Sequence, residues 1–197
     1  MPRPHATRSP TAALLTLLLV APIRAYDGQL SESTIRDAYF LGIRQGGLPT
    51  GFLAKYAHWL PDLKEGTCTS EVRLETPFLQ VAEYASKVPN YSAQDAVKHF
   101  RDMSLPLRIH LDICYRQNAA LNALHLKIVQ NKKELLPSST ANSPYCEPTD
   151  NGCLPPNGER IDLEFDPAKI DSSDLTIFID TPDDQHATTN FDLRSLR

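Results

Sequence analysis

Residues 107–116 read Leu107-Arg108-Ile109-His110-Leu111-Asp112-Ile113-Cys114-Tyr115-Arg116, and how this run is read decides the fold. Leu107, Ile109, Leu111, Ile113 and Tyr115 alternate with Arg108, His110, Asp112, Cys114 and Arg116, the period of two that a half-buried β-strand needs. One face enters a core, and the other presents titratable groups. A strand this long needs partners and a covering layer, which predicts an antiparallel sheet with one apolar and one more polar face.

A second alternating run, Leu124, Leu126 and Ile128, follows a connection around 117–121, and the two runs together predict a hairpin. Matching their apolar faces requires paired residue numbers to sum to an odd value, because a one-residue displacement turns a whole set to the other face. A sum of 239 sets Asp112 opposite Lys127 and Cys114 opposite His125, whereas a displacement of two sets Asp112 opposite His125. In either register His110, Asp112, Cys114, His125 and Lys127 share one face, the one concentrated set of polar chemistry in this reading.

Upstream, Ser31 caps a predicted helix with the stripe Ile35, Ala38, Tyr39 and Ile43, ended by Gly46 and Gly47. Thr50 caps a second helix through Phe52, Leu53, Tyr56, Ala57 and Leu60, stopped by Pro61, and the short link between the two predicts an antiparallel pair. His58 and Trp59 at its end read either as a ligand-stacking pair or as a dipole-favoured histidine beside a half-buried tryptophan. Residues 69–75 alternate through Val72 and Leu74 and predict a strand with Glu71, Arg73 and Glu75 outward. Thr76 and Pro77 then open a helix carrying Phe78, Val81, Ala82 and Ala85, and Ser92 caps another carrying Ala93, Ala96, Val97 and Phe100. Asn90-Tyr91-Ser92 also spells a glycosylation acceptor, relevant only in a host that glycosylates exported proteins.

Between 137 and 160 the composition shifts to Ser, Thr, Asn and Pro, and no regular element is expected. A loop this long in a compact domain is either a recognition loop or a stapled insertion, and Tyr145, Glu147, Asp150 and Asn151 are its candidate binding residues. Beyond it, 161–165, 175–179 and 187–193 predict a three-stranded antiparallel meander with turns at Asp166-Pro167 and at 181–184.

Arg3 and Arg8 precede the apolar run 12–21, which gives way to Pro22, Ile23, Arg24 and Ala25, the pattern of a secretory signal peptide. Cleavage is expected after Ala25, with Ala21 as a second exit. The run is shorter than the roughly 20 residues that span a bilayer, so no retained transmembrane helix is expected. The chain of 197 residues carries a formal charge of minus four; loss of Arg3, Arg8 and Arg24 leaves minus seven. An acidic chain without a run of Lys and Arg is a poor partner for nucleic acid or for an anionic membrane surface. The location expected is secreted or periplasmic, where the four cysteines can form disulfides. The turn-rich segment between Cys146 and Cys153 favours that pair and leaves Cys68 with Cys114.

The chemistry is weighed on the same residues. Asp166, Asp171 and Asp174 fall at one end of the meander's shared strand and Asp180, Asp183 and Asp184 at the other, too few at either end for calcium's six to eight oxygens. His110, Asp112 and His125 have the right types for a transition metal, but His-x-Asp recurs in any polar strand face, and an Asp112 to Lys127 pair accounts for them structurally. No Gly-x-Ser-x-Gly elbow, His-Glu-x-x-His helix or phosphate-cradling glycine loop is present, and no cofactor is implied. The expectation is one α+β domain over 26–197, with N-terminal helices in 31–103 packed on a mainly antiparallel β-sheet or open β-sandwich of about six strands in 106–193. The leading function is a non-enzymatic binding or envelope-associated module meeting an unknown protein or envelope ligand through the stapled loop 137–160. The competing function is a metal-binding protein or enzyme using the polar hairpin face.

Overall fold

The computed structural model describes residues 26, 28–45, 47–60, 70–114, 124–145, 148–149, 152–153, 158–181 and 186–196. The expected leader over 1–25 lies outside them, as do Cys68, Cys146, Glu147, Asp150 and Asn151. In chain order the elements are α1 (Glu32–Gly42), α2 (Thr50–Leu53), β1 (Ala57–Trp59), β2 (Glu71–Glu75), α3 (Pro77–Lys87) and α4 (Ala93–Phe100). There follow β3 (Leu107–Cys114), β4 (His125–Gln130), β5 (Lys133–Glu134), β6 (Ser139–Tyr145), β7 (Pro148–Thr149), β8 (Gly152–Cys153), β9 (Gly158–Phe165), β10 (Asp174–Asp180) and β11 (His186–Asp192). No helix among the described residues is long and apolar enough to cross a membrane.

The α+β class is borne out, and the β half consists of two antiparallel sheets. One has five strands in the order β1-β2-β3-β9-β6, the other four in the order β11-β10-β4-β5, with β7 and β8 as a separate ribbon. Leu107, Ile109, Leu111 and Ile113 of β3 are fully buried, each worth about 2 kcal/mol of apolar burial, and share one core with Leu175, Ile177 and Ile179 of β10. A second core joins the helices through Ile35 and Ala38 of α1, Val81 and Ala82 of α3, and Ala96 and Phe100 of α4. Leu48 and Phe52 pack against both cores.

The helix starts follow local signals. Ser31 and Thr76 accept from Thr34 N and Leu79 N, and Ser92 forms a reciprocal capping box with Asp95. α1 ends at Gly42, four residues before the expected glycine stop, where the absence of a side chain lets the helix lie against the Ala82 carbonyl of α3.

Four expectations are corrected. The 107–116 and 124–130 runs do not form a hairpin: β3 pairs with β2 and β9, and β4 pairs with β10 and β5 in the other sheet. The second helix stops at Leu53, and Ala57–Trp59 becomes the edge strand of β2, because Tyr56 and Leu60 are buried in the sandwich core. The terminal meander is a hairpin of β10 and β11 only, since β9 belongs to the other sheet. The 137–160 stretch contains β6, which pairs along its whole length with β9 although its side chains carry no apolar alternation, together with the β7–β8 ribbon. Main-chain pairing with an already placed neighbour outweighs its weak strand propensity.

Candidate functional site

The antiparallel registers place the outward side chains of the five-stranded sheet in cross-strand rows. One row is Trp59, Glu71, Asp112, Arg160 and Ser143; the next is Ala57, Arg73, His110, Asp162 and Ala141; the third contains Glu75, Arg108, Glu164 and Ser139. Strand alternation puts Val72, Leu74, Ile109, Leu111, Ile161 and Leu163 of the same strands in the core, so the grid of charges is a direct consequence of the buried pattern.

Within the grid the partners are short range. Arg160 donates from Nε and Nη2 to the two carboxylate oxygens of Asp112 at 2.6 and 2.7 Å, and its guanidinium lies 5.2 Å from the Tyr145 ring centre. Arg108 donates to Glu164 at 2.9 Å and stands 3.6 Å from Glu75. His110 bridges two carboxylates, with Nδ1 2.6 Å from Asp162 and Nε2 3.2 Å from Glu75. Gln80 of α3 donates to the carbonyls of Glu75 and Pro106 and so fixes the strand ends that carry Glu75 and Arg108.

The hydrogen bond to Glu75, joined by that to Asp162, raises the His110 pKa against the opposing effect of burial and of Arg73. Burial works to raise the Glu75 pKa, but the hydrogen bond and charge of His110, with Arg108 and Arg73, outweigh it and hold the carboxyl low. His110 therefore contributes stability in full below the ordinary imidazole pKa and loses it as pH rises through the raised value. Glu75 contributes above the ordinary carboxylate pKa and loses it as pH falls through the lowered value. The stability difference between wild type and His110→Gln is expected to be largest near about pH 5.5 and to shrink by on the order of 1 kcal/mol towards about pH 8.5. The imidazole is 26% exposed, which limits the effect. Urea unfolding at the two pH values measures it, and an equal difference at both would show that the bridge contributes nothing.

A cavity of about 360 Å³ sits on this face, lined by Glu71, Arg73, His110, Asp112, Arg160 and Asp162. It adjoins a groove of about 660 Å³ that shares Glu71 and Arg73 and is walled by Leu53, Tyr56, Trp59 and Leu79 among others. Trp59 is 65% exposed. Among the described residues, the side chains of Glu71 and Arg73 make no direct hydrogen bond or ion pair, unlike Asp112, Arg108 and Arg160 beside them.

The structure separates the metal ligands considered from sequence. His110 and Asp112 lie on the outer face of the five-stranded sheet; His125 and Lys127 are exposed on the four-stranded sheet, opposite Asp180 and Phe178. Asp112 pairs with Arg160 rather than Lys127. No three His, Cys, Asp or Glu side chains among the described residues converge to hold a metal. His58 and Trp59 point to opposite faces of β1: His58 stacks on Phe191 at 4.0 Å and shares a 2.8 Å hydrogen bond with Thr189, tying the sheets together. Of the binding-loop candidates, Tyr145 ends β6 at the margin of the charged face, while Cys114 ends β3 opposite Gly158 and Cys153 lies in β8.

Sequence reasoning passed over Asp162 and Glu164, which lie between Ile161, Leu163 and Phe165. A signal for them is present. Read backwards, Glu164, Asp162 and Arg160 are opposite in sign to Arg108, protonated His110 and Asp112 at each step, as an antiparallel neighbour should be. Comparison with protein-family models, curated proteins and solved structures finds no match for this chain.

Proposed function

We propose that the chain is an exported, non-enzymatic binding module of the envelope, holding a zwitterionic amphiphile on the outer face of its five-stranded sheet. The observation that carries this reading is the pair Glu71 and Arg73. An acid and a base, neither with a direct partner among the described residues, stand about 7 Å apart on one strand where the charged cavity opens into the apolar groove. A cationic group suits the space between Glu71 and its row neighbour Trp59, attracted by the carboxylate and by the indole face. An anionic group suits the Arg73 guanidinium, and Ala57 beside it leaves room. Leu48, Leu53 and Ala54, the groove's accessible apolar side chains, then receive the apolar body.

The basic-then-apolar leader supports a place outside the cytoplasm, where Cys146 would close with Cys153 and Cys68 with Cys114. Tyr145, under Arg160 at the far margin of the face, touches a residue that lines the charged cavity. His110 speaks for binding over proton transfer, because both ring nitrogens already face carboxylates.

Trp59 is the only tryptophan, so its fluorescence reads the groove directly. Titration with dodecylphosphocholine below its micelle concentration is expected to give a saturable blue shift. Arg73→Gln and Glu71→Gln are each expected to weaken binding about tenfold, or ~1.4 kcal/mol. An unchanged spectrum, or an equal response to the uncharged dodecyl maltoside, would remove the zwitterion reading.

A further inference from the structure

β6 is the outer strand of the five-stranded sheet, and among the described residues it pairs with β9 alone. Natural edge strands are commonly guarded by lysine, by proline, by inward-pointing charge or by a covering element, and of these β6 carries one proline near its end. The residues Ser139, Thr140, Ala141, Asn142, Ser143, Pro144 and Tyr145 contain no charge, and all but Tyr145 are exposed. Pro144 has no N–H to give to β9, so its nitrogen faces away from the ladder. Main-chain groups alternate in direction along a strand, which puts the N–H and C=O of Thr140 and Asn142 at the open edge as well.

Beneath this edge the sandwich is unclosed among the described residues. A cleft of about 480 Å³ runs between the sheets, floored by Leu126, Ile128, Leu135 and Leu163, with Thr140 and Asn142 at its mouth. Leu136 at its rim is 67% exposed. β5, the last strand of the opposing sheet, is only two residues long and does not itself cover the cleft.

We propose that β6 is the seam of a homodimer, in which two copies pair their β6 strands antiparallel about a twofold axis through Asn142. In that register Asn142 of each copy exchanges N–H and C=O with Asn142 of the other. Thr140 N–H of each donates to the Pro144 carbonyl of the other, while the Thr140 carbonyl, opposite the proline nitrogen, takes no main-chain donor and stays open to water at each end of the seam. The seam side chains Ser139, Ala141, Ser143 and Tyr145 on the outer face are uncharged, so no like charges meet there; on the cleft side the Glu159 carboxylate accepts from Asn142 Nδ2 at 2.8 Å within its own copy. The two clefts join below the seam and remove Leu136 and Leu126 of both copies from water. A second copy is favoured over a foreign strand because the edge is complementary to itself under this rotation.

Light-scattering mass measurement across the micromolar range, with amide exchange on the same samples, tests the seam on the full exported chain. The expected result is twice the single-chain mass, with the Thr140 and Asn142 amides protected in the dimer and exchanging freely on dilution. Asn142→Pro removes a donor that faces only the seam and is expected to keep the far-ultraviolet circular dichroism while raising the dimer dissociation constant at least tenfold. Thr140→Lys, a charge at an exposed edge position, is the second variant and is expected to act the same way. A single-chain mass throughout overturns the proposal. So does a dimer that both variants leave intact, or one that protects other amides while those of Thr140 and Asn142 stay open.

Discussion

Ile109→Ala is expected to lower unfolding stability by about 3–4 kcal/mol, a large part of the roughly 5–15 kcal/mol available to a domain. Ile109 is fully buried at the middle of β3, with Leu74 opposite on β2 and Leu163 opposite on β9, and the other sheet lies beneath. Its neighbours are held by ladders on both sides and cannot close over the space left, so a cavity term adds to the lost transfer free energy. Urea unfolding followed by circular dichroism measures the change. A loss below about 1 kcal/mol would mean that the two sheets move together to fill the gap.

Gly42→Val is expected to damage the helical layer by a comparable route in the opposite sense, through excess volume. A Cβ at position 42 would stand 2.1 Å from the Ala82 carbonyl oxygen and 3.0 Å from the Ala85 Cβ. The closest obstacle is backbone of α3, which no rotamer change can move, so α1 must lift away from α3 and strip cover from Ile35, Ala38 and Val81. About 3 kcal/mol of destabilisation follows, seen as a fall in Tm of roughly 6–12 °C for a chain of this size. Gly42→Ala is expected to reproduce most of the loss, since the first carbon already collides. Gly51→Ala, where nothing lies within 4 Å, is the control and leaves Tm nearly unchanged. A Gly42→Val protein that melts with the wild type would show that α1 is free to shift without loss of packing.

The elements visible in the sequence are those written by local physics. Ser31, Thr76 and Ser92 announce helix starts because a cap acts within three residues, and Leu107 to Ile113 announces a strand because alternation is a property of the strand alone. Partnership is not local. Leu124, Leu126 and Ile128 alternate as well as Ile161, Leu163 and Phe165 do, and apolar periodicity does not say which of them lies beside β3. Proximity along the chain favours the first, and the structure uses the second. Tyr56, His58 and Leu60 carry a period of two that a helical stripe through Phe52, Leu53 and Tyr56 obscures, and the bare edge of β2 decides between them. The candidate site was half legible for the same reason: Glu71, Arg73, His110 and Asp112 read as outward, while Asp162 and Glu164 become visible only once β9 is known to be the neighbour.

The pairing of Arg108, His110 and Asp112 with Glu164, Asp162 and Arg160 has a consequence for how the central strands find each other. Shifting β9 along β3 by two residues keeps every apolar side chain on the core face, so the core is indifferent to that mistake. The charges are not. A shift one way sets His110 against Arg160, and a shift the other way sets Asp112 against Asp162. Each misalignment that apolar alternation would admit keeps at most two attractive pairs where the native register has three, and adds a repulsive one, so the solvent-facing grid biases the interior it covers towards one register.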